Sequence, residues 1–415
     1  MPTGRNLWNS EGRYCAIRIE FLIFSSKRSM HFDKSVFSAQ EATFIGHCSV
    51  SPLFSKAADV AVEMLRAQEK WGGAPVVEAY MKHLDELKVY ASALLRTQPE
   101  NIASVRNTSD ALSVVANGYP FEPGDEVISF VQEYPANFHP WRLQELTRGV
   151  RLKLLSNLPA RDDIPADVIG TWSMAELESL ITARTRVIAL SHVQFTSGYA
   201  ANLHALGQLC KERGIDLVID AAQSLGIQPV FPEEMNIAAL ASAGWKWLLG
   251  PMGTGIFYTA PAFREKLRPI QVGAETMVQE FDFMNLEWNP IPTARRFEFS
   301  TSPIYLVAAL ATCLREVHAR YGAEALFQEA LRLQDLFLEK LDNPAFKPLL
   351  FEPEHRSGIL SIYCENLEGI KASLAEKNIV CAPRSGMLRV APHFYNTDED
   401  MERLAEVLNE FRARP

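Results

Sequence analysis

The sequence predicts an α/β protein built on a mostly parallel sheet with helices on both faces, and three observations carry that prediction. From Ile102 to about Pro261, short β-branched runs (EVISF, VIALSHV, DLVIDAA, TGIFYTA) alternate with polar segments of helical character such as NLHALGQLCKERG. Strands interleaved with helices of this length pair in parallel and are covered on both faces. The chain has 415 residues, and beyond about 250–300 residues a single core stops growing and chains divide. Finally, Asp220 ends an apolar run, which places a carboxylate at the C-terminal edge of a strand, where open α/β sheets bind ligands.

The elements follow in order. Residues 1–29 read as an appendage, since Met30 would serve equally well as a start. Its run YCAIRIEFLIFSS is broken by Arg18 and Glu20, far short of the roughly 18 apolar residues of a membrane helix. It also lacks a signal-peptide cleavage site, and its acidic residues fit poorly with an organellar transit peptide. An irregular segment, TFIGHCSVSPLF, precedes an amphipathic helical pattern from Lys56 to Leu95. After the alternating region, a helical stretch runs from Pro303 to Leu341. The remainder reads strand, helix, strand, helix: GILSIYCEN, GIKASLAEKN, MLRVAPH and DEDMERLAEVLNEFRAR. We therefore expect a large domain over residues 30–302 and a small α+β domain over residues 303–415, against which the N-terminal segment packs.

Composition narrows the function. Values of 47% hydrophobic and 22% charged residues are ordinary for a globular protein. A net charge of -9 with scattered Lys and Arg argues against a nucleic-acid surface. The six cysteines (Cys15, Cys48, Cys210, Cys313, Cys364, Cys381) form no C-x-x-C pair, so neither zinc nor a redox dithiol is expected. They read as free thiols in a reducing compartment, which points to the cytoplasm. No membrane and no metal are expected.

The most informative residues are DLVIDAAQSLG and, further on, ASAGWKWLLGPMGTGIFY. In the second, Lys246 lies between Trp245 and Trp247 and ahead of Gly250, Gly253 and Gly255. A partly desolvated lysine has a lowered pKa and becomes a nucleophile toward aldehydes. A buried carboxylate is the usual means of keeping a pyridoxal ring nitrogen protonated, and only then does that ring act as an electron sink. Taken singly, the bland readings are commoner. An Asp at a strand end is often a helix cap, and a Lys among tryptophans often snorkels or makes a cation–π contact.

Together, these segments resemble the class V aminotransferases, the fold-type-I group that includes cysteine desulfurases, isopenicillin N epimerase and kynureninase. The resemblance runs from about Phe44 to Leu408 and is most specific in VIDAAQSLG with WKWLLGPMGTG. It implies pyridoxal 5'-phosphate held as a Schiff base on Lys246, with Asp220 on the pyridine nitrogen and Gln223 on the ring hydroxyl. RNTSDAL is similar to the family's phosphate-cradling turn at a helix N-terminus, which makes Thr108 and Ser109 the ligands. An ordinary helix cap at Thr108 or Ser109 is the alternative. EYPANFHPW is similar to the segment whose side chain stacks on the ring, here Tyr134. RRFEFSTSP resembles the segment whose threonine reaches the neighbouring subunit's cofactor, which implies a homodimer completed by Thr301. MLRVAPHFYNTDED matches the motif whose arginine, here Arg389, grips the substrate α-carboxylate.

The match departs in three places. Ala243 and Trp245 stand where the family often has Ser or Asp and His or Tyr. Phe195 stands where desulfurases carry an Asn that touches cofactor and substrate. The interval IVCAPRSGMLRV is too short for the desulfurase loop with its nucleophilic cysteine, so Cys381 is a poor candidate for that role. The expected function is an enzyme acting at the α-carbon of a small-molecule amino acid, most simply an aminotransferase. Alternatives on the same scaffold are C–S cleavage (desulfurase-like β-elimination) and epimerisation. A catalytically idle binding or regulatory protein is the alternative from another class. A nicotinamide enzyme is disfavoured, because no G-x-G-x-x-G follows a first strand.

Overall fold

Seven strands make the central sheet: β1 (Ile102–Val105), β2 (Glu126–Phe130), β3 (Arg151–Leu155), β4 (Thr185–Ser191), β5 (Asp216–Asp220), β6 (Ala239–Ala243) and β7 (Gly255–Thr259). Their order is β1-β7-β6-β5-β4-β2-β3, parallel throughout except β7, which runs antiparallel to both of its neighbours. The computed structural model describes residues 31–37, 41–165, 170–279 and 282–412. The appendage expected at residues 1–29 lies outside the described residues. Residues 32–415 form one compact unit.

The strand sequences explain why both faces are covered. Side chains alternate across a strand, and here both sets are apolar. Ile188, Leu190, Leu217 and Ile219 join one core cluster, whereas Val187, Ala189 and Val218 join a second on the opposite face. The first cluster packs against α1 (Ser55–Trp71) and α2 (Gly73–Leu95) through Met64, Leu84 and Leu87. The second packs against α3 (Thr108–Gly118) and α4 (His139–Arg148) through Leu112, Val115 and Trp141. The helical pattern over Lys56–Leu95 is thus two helices. They break at Gly72 and Gly73, where φ is +51° and +60°, a region open to glycine and costly for other residues.

The stretch after Pro303 is likewise interrupted. A helix from Ile304 to Cys313 passes into a π-helical turn, Leu314–His318. Gly322, at φ +78°, then separates it from a second helix, Ala323–Lys340. The first helix belongs to the core of the large sheet through Val307, Leu310 and Ala311. Beyond it, Lys347–Pro348, Leu360–Tyr363, Ala382–Arg384 and Met387–Val390 form a four-stranded antiparallel sheet. Helices Leu367–Glu376 and Asp398–Glu410 accompany it. Thr43–Phe44 pairs in parallel with Ile379–Val380, and Gly46 bridges Ala391. These pairings run the N-terminal segment past the C-terminal strands and on toward the ends of β5 and β6.

Candidate active site

Asp220 is the last residue of β5 and is buried. Its Oδ1 accepts the N–H of Ala222 at 2.9 Å, and its carbonyl accepts the N–H of His192 at 2.9 Å. Burial pushes its pKa up, opposed by attraction to Lys246 and by the Ala222 bond. In the turn that follows, the Gln223 amide donates to the Cys48 carbonyl at 2.9 Å and accepts from Trp247 Nε1 at 3.2 Å. Gly226 closes this turn at φ +102°, and a Cβ there would stand 2.7 Å from the Trp247 carbonyl. The Asp220 turn and the lysine loop are therefore packed backbone to backbone.

Lys246 sits in the loop after β6, half-buried, and burial lowers its pKa while Asp220 raises it. Of its two tryptophan neighbours, Trp247 is fully buried and serves the framework. The ring over the amine is instead Tyr134, whose centroid is 5.5 Å from Nζ. Trp245 offers its carbonyl to Ser51, at 2.9 Å from the backbone N–H and 3.1 Å from the hydroxyl. That bond ties the N-terminal segment to the lysine loop.

The turn before α3 bears on phosphate binding. Its cap is Asn107, whose Oδ1 accepts the N–H of Asp110 at 2.9 Å, so neither Thr108 nor Ser109 is the cap. Thr108 is buried, and its Oγ1 has no hydrogen-bond partner among the described residues; Ser109 is exposed. A buried hydroxyl left unbonded is costly unless a ligand takes it, and the positive end of an eleven-residue helix lies beside it. The helix packs against β6 and the 135–137 turn, next to the lysine loop and Tyr134. This donor set fits the phosphate, ring nitrogen and aldehyde of pyridoxal phosphate.

Arg389 is only 2% exposed, which removes the surface ion pair as its explanation. Its Nε donates to the Ala382 carbonyl at 2.9 Å and its Nη1 to the carbonyl of Phe195. The Phe195 ring meets Tyr134 edge to face, with centroids 5.2 Å apart. The structure thus brings Asp220, Gln223, Lys246 and Tyr134 together, with Arg389 joined to them through Phe195. Thr301 stands apart: it is exposed and donates to Glu275 at 2.7 Å.

Sequence reasoning passed over two residues here. Glu133, next to Tyr134, is buried and receives the Ser191 N–H at 2.7 Å, the Ser191 hydroxyl, and the Gln194 and Asn137 amides at 3.2 Å each. Burial pushes its pKa up to about 7, and nearby Asp220 adds to the rise. Cys48 is buried between the lysine loop and the arginine hairpin. Burial raises its pKa, while Arg389 and Lys246 oppose the rise. A glutamate in a turn and a cysteine in an irregular segment carry no periodic signal, and only the fold shows where they lie. Cys381 is partly exposed, and burial of its thiol also pushes its pKa up.

Known proteins are similar to this chain in sequence and in fold. The chain is 25% identical over 360 residues to a probable cysteine desulfurase of Methanothermobacter thermautotrophicus, covering 82% of this chain and 86% of the relative. C-DES with glycine covalently linked to its pyridoxal-phosphate cofactor superposes with a TM-score of 0.83 at 19% identity, over 92% of this chain and 100% of that one. The same protein, described as a cystine C–S lyase in complex with cysteine persulfide, gives 0.81 at 19% identity, over 90% and 99%. At that identity the likeness shows the fold, a fold-type-I sheet with a small antiparallel domain. The profile of class V aminotransferases matches residues 77–404, and the chain belongs to that family, the pyridoxal-phosphate enzymes whose motifs it carries.

Proposed function

We propose that this protein is a pyridoxal-phosphate-dependent C–S lyase, which breaks the Cβ–S bond of a cysteine-derived amino acid by elimination without an enzyme thiol as relay. The observation that carries the proposal is the arginine hairpin. Strands Ala382–Arg384 and Met387–Val390 are joined by Ser385 and Gly386 alone, which leaves no room for a loop bearing a mobile cysteine. Burial raises the pKa of both nearby thiols, Cys48 and Cys381, with Arg389 and Lys246 opposing the rise at Cys48, and a raised pKa disfavours the nucleophilic thiolate. The desulfurase and C–S lyase relatives point to sulfur substrates. The transamination favoured by sequence alone becomes the competing outcome.

In this reading Lys246 anchors the cofactor, and Asp220 holds the ring nitrogen. Thr108, Ser109 and the α3 N-terminus hold the phosphate; Gln223 holds the ring hydroxyl and Tyr134 covers the ring face. The cofactor supplies an electron-withdrawing ring that stabilises negative charge at the substrate Cα. Arg389 receives the α-carboxylate. The Lys246 amine would be the base for the Cα proton, a role its lowered pKa suits. Tyr134 and Phe195 screen this step from water. A homodimer is part of the proposal, because Thr301 faces solvent beside Glu275 and not its own chain's site.

Product analysis tests the proposal. With S-substituted cysteines, elimination yields thiol, ammonia and pyruvate in equal amounts over many turnovers. A 2-oxo acid that retains the sulfur, formed only when an amino acceptor is supplied, would establish transamination instead.

A further inference from the structure

Between Ser191 and Ala200 every residue is buried except Phe195, which is partly exposed. The loop holds itself without that ring. Gln194 N–H donates to the Tyr199 carbonyl at 2.9 Å and its amide to Glu133 at 3.2 Å. Ser361 donates its hydroxyl to the Thr196 carbonyl. Gly198, at φ +78°, lies so close to Ile359 that a Cβ would stand 2.3 Å from its carbonyl. Phe195 is the one partly exposed residue of this otherwise buried segment, none of the bonds that hold the segment uses its ring, and an aromatic ring gains nothing from facing water.

The position of Phe195 says what it faces. Its carbonyl holds Arg389, and its ring meets Tyr134, which lies over Lys246. It therefore spans the distance from the carboxylate anchor to the amine that addresses Cα. An amino acid held at these two points has its side chain left to place, and Phe195 and Tyr134 are the rings found between those points. Glu133 fixes the pair, since it follows Gln132 into the Tyr134 turn and its carboxyl binds Ser191 and Gln194 on the other segment.

We propose that Phe195 and Tyr134 form the wall of the side-chain subsite and select an S-substituted cysteine whose substituent is apolar, over free cysteine and over polar substituents. Sulfur and alkyl groups both pack well on aromatic rings, and a hydroxyl placed against the Phe195 ring gives up water without gaining a hydrogen bond from that ring. This rests on the lyase reading. The reaction is RS–CH2–CH(NH3+)–COO− plus water giving RSH, pyruvate and ammonium. The Cα proton leaves to Lys246, the Cβ–S electron pair departs on sulfur, which is then protonated, and water hydrolyses the remaining enamine.

The test compares two pairs of matched size on the cofactor-loaded enzyme. S-propyl-L-cysteine and S-(2-hydroxyethyl)-L-cysteine report turnover. Their carbon isosteres, L-2-aminoheptanoate and L-6-hydroxynorleucine, have no leaving group and report binding through the visible spectrum. The apolar member of each pair is expected to be favoured about tenfold or more. Phe195→Asn brings both ratios to about one, and Phe195→Leu keeps most of them, which separates loss of the apolar wall from loss of folding. Equal binding of the two isosteres by the wild type, or a ratio unchanged in Phe195→Asn, overturns the proposal. If the binding preference holds while no thiol is released from either cysteine, the subsite stands and the lyase reading falls.

Discussion

Asp220 and Lys246 hang from the ends of neighbouring strands, β5 and β6, whereas Arg389 and Phe195 meet across 194 residues of chain. The first pair is fixed by a sheet buried on both faces and by the Gln223–Trp247 bond that joins their turns. The second is fixed by a guanidinium on two backbone carbonyls, between a hairpin of the small sheet and a loop of the large one. The lesson is a division of labour. The half proposed to hold the cofactor is set by local sequence on its strands, and the half proposed to hold the substrate by long-range main-chain contacts that do not use the Phe195 side chain.

Breaking the cofactor half has the largest expected effect. Lys246→Ala removes both the anchor and the base, and steady-state turnover should fall at least about a thousandfold. Asp220→Asn keeps the shape but gives up the charge, and kcat should drop about a hundredfold or more, with cofactor still bound. A smaller change comes at the α3 N-terminus. Thr108→Ala should weaken cofactor affinity about tenfold in a dialysis titration, since a charge-assisted hydrogen bond contributes about 1.5–3 kcal/mol. Ser109→Ala, at an exposed position, should weaken it less. Equal effects of the two would contradict the burial argument.

The smallest effect is on stability. Burial holds His47 and His318 down to about 4 and His192 to about 3. A base depressed on folding stabilises the native state above its ordinary value of 6.5, and that contribution is lost as the pH falls toward 4. Glu133 has the opposite sign: raised from 4.5 to about 7, its contribution is present in acid and lost as the pH rises through 7. Together with His393, which burial also holds well below its ordinary value, these histidines outweigh Glu133 and Asp220, the two carboxyls that burial raises. The urea midpoint should fall between pH 6.5 and 4, and His318→Phe should make the fall shallower.

The cofactor half was also the legible half. β-branched runs gave β2, β4, β5 and β7, because strands buried on both faces must be apolar throughout. β6, Ala239–Ala243, has the sequence ALASA, which carries no strand signal, and it is defined by pairing with β5 and β7. Gly72, Gly73 and Gly322 broke two helical patterns that apolar periodicity read as continuous, since periodicity is blind to backbone sign. Asn107, one residue ahead of the expected pair, took the cap and left Thr108 unbonded. Trp247 was read as part of the lysine's surroundings, yet it is buried in the framework, and the ring at the amine comes from Tyr134, 112 positions earlier (246 − 134). Contacts at such separation have no local signature.

Whether Lys246 holds the cofactor can be read from the visible spectrum of the purified protein with pyridoxal phosphate. A band at roughly 410–430 nm is expected that borohydride abolishes, with the reduced label found on Lys246 by peptide mass and absent from Lys246→Ala. A wild type that stays colourless in excess cofactor, or a label on any other lysine, would contradict it.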